Sequence, residues 1–181
     1  MTTIAYRAGI MASDSGSWAG DASHGWARKL VKGADGTLYG VAGDAAQADG
    51  FLKWVSAGRL DPAPVIDRQG TDGCDSSIII LAVTPGGPIR LITARGEECY
   101  PDAPYYAIGS GAATAFGALF MGATAEQAIE AAKEHGSGAF GRVQSLRHPT
   151  TRKKPPLKPF SKKGNITQRQ ADAAVRKVLK K

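Results

Sequence analysis

Cysteine is scarce in this chain. There are two in 181 residues, Cys74 and Cys99, and they form no metal-type pair. That spacing predicts free thiols in a reducing cytoplasm rather than a disulfide framework or a thiolate metal site. No apolar run approaches the roughly 18 residues that a membrane span requires. Nor does a basic-then-apolar leader open the sequence, because Met1 to Arg7 already has the pattern of a strand. A cytoplasmic protein without membrane contact is the expectation. Aromatic residues make up only 7 % of the chain. Trp18, Trp26 and Trp54 read as core or interface aromatics, not as a base-stacking platform. Acidic charge is nearly missing from one region alone. From Pro149 onward there are eleven Lys/Arg and one Asp, whereas residues 1–148 hold twelve Lys/Arg against fifteen Asp/Glu. The net charge of +7 is therefore a basic tail on a mildly acidic domain. At 181 residues and 43 % hydrophobic content, the chain is long enough for one well-buried domain.

Within that domain, Thr2 to Arg7 and Ile10 to Asp14 read as a hairpin turning at Ala8-Gly9. Its geometry would bring Asp14 beside Thr2. Ser15 to Gly25 is polar and Gly-rich and reads as loop, with His24 a solvated residue in it. Ala27 to Val31 resumes an extended pattern. Thr37 to Gly43 reads as a small-residue strand whose glycines suggest close backbone approach. Asp44 and Gln47 have capping-box spacing ahead of a helix with Phe51, Leu52 and Val55 on one face. Residues 60–75 read as loop. Ser77 to Val83 is the most β-branched run and reads as a strand buried on both faces. Pro85-Gly86-Gly87-Pro88 turns it into Ile89 to Thr93. A charged loop, a strand over Tyr105–Ile108, helices over 112–121 and 125–135, and a last strand over Phe140–Leu146 follow. This order predicts an α+β domain of two packed sheets with helices outside.

The start of the chain also carries a chemical suggestion. If Met1 is removed, Thr2 presents a hydroxyl and a free α-amine on one residue. The amine, with a reference pKa near 8, can take the hydroxyl proton and later return it to a leaving group. A helix beginning just after Gly43 leaves unpaired backbone N–H groups at that turn, the geometry that stabilises an oxyanion. Taken singly, each residue has a plainer reading. Asp14 is equally a turn residue, Lys29 a solvated strand charge and Ser110 a helix cap.

Taken in order, these residues resemble the proteasome β-subunit/HslV family of N-terminal nucleophile hydrolases over roughly Thr2 to Leu146. The matching elements are Thr-Thr-Ile after Met1, Ser13-Asp14-Ser15, Arg28-Lys29-Leu30, Ala42-Gly43-Asp44-Ala45 and Ile108-Gly109-Ser110-Gly111. Glu134-His135-Gly136-Ser137-Gly138 resembles the family's Asp-x-x-Ser-Gly, with Glu in place of Asp. The resemblance implies a four-layer αββα sandwich of two antiparallel sheets. It implies a threonine-type peptidase in which Thr2 is the nucleophile and its amine the base. Lys29, held by Asp14, would be the nearby cation, and the Gly43 N–H the oxyanion donor, contributing about 3–4 kcal/mol. Ser110, Glu134 and Ser137 would orient the amine and its water. Val41 and Ala45 would shape the pocket, favouring cleavage after apolar residues. A peptide or unfolded protein would be the substrate, in a homo-oligomeric ring fed in some family members by an ATP-dependent unfoldase. No cofactor and no metal are expected, since the sodium-site residues of HslV have no counterpart.

Residues 149–181 have no equivalent in that family. A Pro-punctuated basic stretch leads to Thr167 to Gln170 and a short amphipathic helix with Ala171, Val175, Val178 and Leu179 on one face. A solvated tail, docking on a neighbouring subunit and salt-sensitive contact with nucleic acid are the three readings. With the last of these, the alternative function is a non-catalytic scaffold or nucleic-acid-associated module.

Overall fold

The computed structural model describes residues 1–19, 21–67, 77–136 and 138–149. Its first hairpin joins β1 (Thr3–Arg7) to β2 (Ile10–Ser13) through Ala8-Gly9. Alternation along both strands decides everything built on them. Ala5 and Ala12 face one way, Ile4 and Met11 the other. The hairpin is the centre of a four-stranded antiparallel sheet. On one side it pairs with β10 (Tyr105–Gly109), Thr3 opposite Gly109, and on the other with β11 (Gln144–Arg147), Gln144 opposite Ser13.

Small residues on the outer face let two helices lie close. α2 (Ala112–Phe120) and α3 (Ala125–His135) press Ala115, Leu119, Ala128, Ile129 and Ala132 onto Ala5, Ala12 and Ala107. Thr124 and Gln127 form a reciprocal capping box at the start of α3. Arg7 closes the other end of α2, donating to the carbonyls of Leu119 and Ala123.

The inner face meets a five-stranded antiparallel sheet of β5 (Leu30–Lys32), β6 (Leu38–Gly43), β7 (Ile78–Val83), β8 (Ile89–Thr93) and β9 (Gly96–Tyr100). Leu30, Leu38, Leu81, Val83 and Ile89 fill the space against Ile4, Met11 and Ile108. Gly40 faces Ile4, where a Cβ would lie 2.7 Å from Ile4 Cγ2. The strand is glycine-rich for the reason its sequence suggests. Val31, Tyr39, Val41, Ile78 and Ile80 point outward onto Phe51, Leu52 and Val55 of α1 (Ala45–Ser56). The layers therefore run helices, sheet, sheet, helix, the αββα arrangement expected.

Four expectations need correction. The segment after Asp14 is not all loop, since β3 (Ser17–Ala19) pairs with β4 (Ala22–His24) in a small separate hairpin. The charged stretch after β8 extends the sheet as edge strand β9, where Glu97 and Glu98 face water. Asp44 accepts from Gln47 N at 2.9 Å, yet the Gln47 side chain does not return to it. It accepts instead from Ser77 Oγ (2.7 Å) and Asp67 N (3.1 Å), strapping two later segments to the start of α1. Finally, β7 is not buried on both faces throughout. Ile79 is 37 % exposed, because it lies beyond Leu81 at the end of the inter-sheet layer, opposite Ala42. The layer is open at that end.

Residues 150–181, Ser137 and the 68–76 segment with Cys74 lie outside the described residues, so the expected tail helix and part of the expected 60–75 loop do too. Among the described residues, no helix is long and apolar enough to cross a membrane.

Candidate active site

β2 carries Asp14 to the open end of the sandwich. Asp14 N donates to Thr3 O at 3.3 Å, extending the hairpin by one residue and burying the carboxylate completely. A buried carboxylate must have its lone pairs filled. Thr3 N donates to Oδ1 at 2.8 Å, and Gly16 N and Phe140 N donate to Oδ2 at 3.1 and 3.3 Å. The Lys29 ammonium lies 2.9 Å from both oxygens.

Lys29 comes from the other sheet. It immediately precedes β5, and its carbonyl accepts from Val41 N at 3.0 Å. The side chain is 6 % exposed. Burial pulls the Lys29 pKa below the ordinary lysine value, and the charge and hydrogen bonds of Asp14 oppose that shift. Its third contact is 3.2 Å to the carbonyl of Met1. The buried ion pair thus meets the peptide bond joining Met1 to Thr2.

Thr2 is itself nearly buried, while Met1 is exposed. Two features hold its backbone. Ser110 N and Ser110 Oγ donate to Thr2 O at 2.8 and 3.3 Å. Gly109 precedes them at φ +93°, where an added Cβ would fall 1.9 Å from Thr2 O. Glycine is required there both by conformation and by contact. One residue on, Gly111 N donates to Thr3 Oγ1 at 3.0 Å. The β10–α2 junction therefore wraps the first residues of β1.

The β6–α1 turn is shaped by similar crowding. Gly43 has φ +122°, and a Cβ on it would lie 2.1 Å from Ser77 O. Gly43 and Ala45 are exposed at this turn, whereas Val41 is buried among the residues packed under α1. Glu134 is exposed in the last turn of α3, and no described hydrogen bond joins it to Thr2 or Ser110. Ser137 lies outside the described residues. Ser110 thus contacts Thr2 directly, while the Asp14–Lys29 pair reaches it through its neighbours, Lys29 at Met1 O and Asp14 at Thr3 N.

Sequence reading passed over four contributors. Thr3, Gly16 and Phe140 reach Asp14 through backbone N–H groups, which leave no signature in side-chain identity. Ser15 is the fourth. Asp14-Ser15-Gly16 does carry a local signal, since an Asp side chain bonding the N–H two residues on is a common turn device. Among the described residues no cluster of His, Cys, Asp and Glu is arranged to hold a metal ion.

No protein-family model and no curated protein matches this chain. Solved structures do. A Thiobacillus denitrificans BPH in complex with epoxomicin is 20 % identical with a TM-score of 0.59, covering 82 % of this chain and 99 % of that one. The fold is the BPH fold. A second Thiobacillus denitrificans BPH structure is 21 % identical (TM-score 0.58), covering 80 % of this chain and 95 % of that one. The eukaryotic HslV from Trypanosoma brucei is 17 % identical (TM-score 0.55), covering 81 % and 99 %. At these identities the likeness is one of architecture, matching the resemblance to the proteasome β-subunit/HslV family.

Proposed function

We propose that this chain is a threonine-type endopeptidase whose nucleophile is Thr2 after removal of Met1. The observation that carries the reading is the buried Asp14–Lys29 pair touching the Met1–Thr2 peptide, with Lys29 Nζ 3.2 Å from Met1 O. A cation at that position favours a neutral Thr2 amine and lowers the cost of deprotonating the Thr2 hydroxyl. Thr2 Oγ attacks the scissile carbonyl while the amine takes its proton. The Gly43 N–H stabilises the oxyanion. On collapse the amine passes the proton to the leaving amine, leaving an ester on Thr2. Water then attacks the ester, and the amine again holds and returns the proton. Ser110 fixes Thr2 through its carbonyl, and Glu134 and Ser137 are assigned to orient the amine and its water. Ala45, exposed at the β6–α1 turn, is assigned the rim of the pocket for the residue before the cleaved bond, and Val41, buried under α1, backs that turn from behind. No cofactor or metal takes part in this scheme.

The HslV-like neighbours support a homo-oligomeric ring; a peptide or unfolded-protein substrate and an ATP-dependent unfoldase as partner are part of the same proposal. Intact mass is the first test, and the expected species lacks Met1. Thr2→Ala should abolish hydrolysis of a fluorogenic peptide. Epoxomicin, found bound to the similar BPH, should add its mass to the natural protein and not to Thr2→Ala. Retention of Met1 in the purified protein, with no hydrolysis, would overturn the assignment. The charge contrast between tail and domain favours a second reading, a scaffold that contacts nucleic acid through residues 149–181. Salt-sensitive DNA binding lost on truncation after His148, in a protein without peptidase activity, would support it.

A further inference from the structure

Ser15 stands between the buried carboxylate and Gly16, and it is itself 1 % exposed. Two segments converge on it, through three hydrogen bonds. Its Oγ donates to Gly25 O at 2.6 Å and accepts from Arg142 N at 2.7 Å. Its carbonyl accepts from Ala27 N at 2.9 Å. Each bond anchors a stretch that reaches Asp14 a short distance on. Lys29 follows Ala27 by two residues, and Phe140, whose N–H reaches Asp14 Oδ2, precedes Arg142 by two. Gly25 and Gly141 cross so closely that a Cβ on Gly141 would lie 3.0 Å from Gly25 Cα and 2.6 Å from Ser15 Oγ. The hydroxyl fills the space at that crossing. Without it, a carbonyl and an N–H lose their partners, the Arg142 segment loses its bond to Ser15, and the Gly25 segment keeps only the main-chain bond from Ala27 N.

We infer that Ser15 is a positioning residue, whose hydroxyl sets the distance between the Lys29 ammonium and the Asp14 carboxylate. This rests on the peptidase reading, in which that pair sets the potential at the Thr2 hydroxyl and amine. A pair loosened by a fraction of an ångström weakens the cation's grip without altering the pocket that binds peptide. The charged group acting on Lys29 is Asp14, with the Thr2 amine as a further neighbour once it is freed.

The test compares Ser15→Ala and Ser15→Thr in the full chain, with folding followed by circular dichroism. Ser15→Ala should lower kcat roughly 10- to 100-fold, the usual cost of a small misplacement, with KM within about twofold. Ser15→Thr, which keeps the hydroxyl, should recover most of the loss. Lys29 is also titrated directly, by NMR of the labelled ammonium. Its titration should move lower in Ser15→Ala, because the opposing pull of Asp14 weakens, and return in Ser15→Thr. If Ser15→Ala does not fold, Ser15→Cys serves in its place, keeping the shape with a much weaker donor. An unchanged Lys29 titration in the hydroxyl-less variant overturns the inference, whatever happens to activity. Absence of hydrolysis in the natural protein counts against the peptidase reading alone, since the Lys29 titration still reports on Ser15.

Discussion

The two outer layers of the sandwich solve the same burial problem with opposite materials. Between α1 and the five-stranded sheet lie Phe51, Leu52, Tyr39, Val31, Val41, Ile78 and Ile80, large side chains whose shapes interlock. Between α2, α3 and the four-stranded sheet lie eight alanines with Leu119 and Ile129. The difference tracks the site. Gly109, Ser110 and Gly111 must come within hydrogen-bond reach of Thr2 and Thr3, so the junction leading into α2 has to sit close on its sheet. Small residues allow that approach, and large ones would hold the helix away. The α1 layer has one such crossing, at Gly43, and is otherwise free to use bulk for stability.

Asp14 belongs to the alanine-packed half and Lys29 to the other. Cutting the bridge between them should have the largest effect. Lys29→Met leaves a fully buried carboxylate with three N–H donors and no cation, which should cost about 3–5 kcal/mol and abolish hydrolysis. Urea unfolding and a peptide assay read both effects, and a variant as stable as the parent would break the account of that pair. Truncation in the bulky layer comes next. Phe51→Ala should destabilise by about 3–4 kcal/mol through the cavity it leaves. In the alanine layer, enlargement is the damaging direction. Ala128→Leu should cost about 1–3 kcal/mol, and it should depress kcat as well by lifting α3 and its neighbour α2. If the enlarged variant kept full activity, the link between small residues and the site would be wrong.

A smaller effect belongs to a second bridge at the opposite end. His148 has Nδ1 3.2 Å from Gly36 O on the five-stranded side and Nε2 3.5 Å from the Tyr6 hydroxyl on the other. Burial holds its pKa below the ordinary imidazole value, and the nearby Lys32 charge adds to this. The folded form therefore binds less proton than the unfolded form as pH falls through about 6.5. Stability should drop as pH falls across that window, and His148→Gln should flatten the slope of Tm against pH. The smallest change is expected at Ser13, whose buried hydroxyl has no hydrogen-bond partner among the described residues. Ser13→Ala should be neutral or stabilising by up to about 1 kcal/mol in urea unfolding.

Much of this comparison is legible in the residues. Period-two alternation in Thr3–Arg7 and Ile10–Ser13, with the helical spacing of Phe51, Leu52 and Val55, gives the layers and their faces. Asp14 beside Thr2 follows from the hairpin turn. Other features are invisible at that level, because they depend on which backbones meet. Gly16 and Phe140 reach Asp14 through main-chain N–H groups 124 positions apart in sequence. The Gln47 side chain abandons its own cap for Ser77 because tertiary packing brings a better donor. The burial of β7 is misjudged at Ile79 because composition does not tell where a facing sheet stops. Glu134 rests on motif spacing alone, since no described hydrogen bond joins it to Thr2 or Ser110, and its role stays a proposal.

The last strand has a practical corollary. Gln144 begins β11 opposite Ser13, at the pole that holds Thr2, and Arg147 ends it opposite Ile10, with His148 N on Gly9 O. Four residues of strand span roughly 13 Å. An affinity handle or fluorophore fused after Pro149 is thus launched from the pole remote from Thr2. Anything added ahead of Thr2 begins where Lys29 already grips a carbonyl, so purification and labelling are best directed to the carboxyl side.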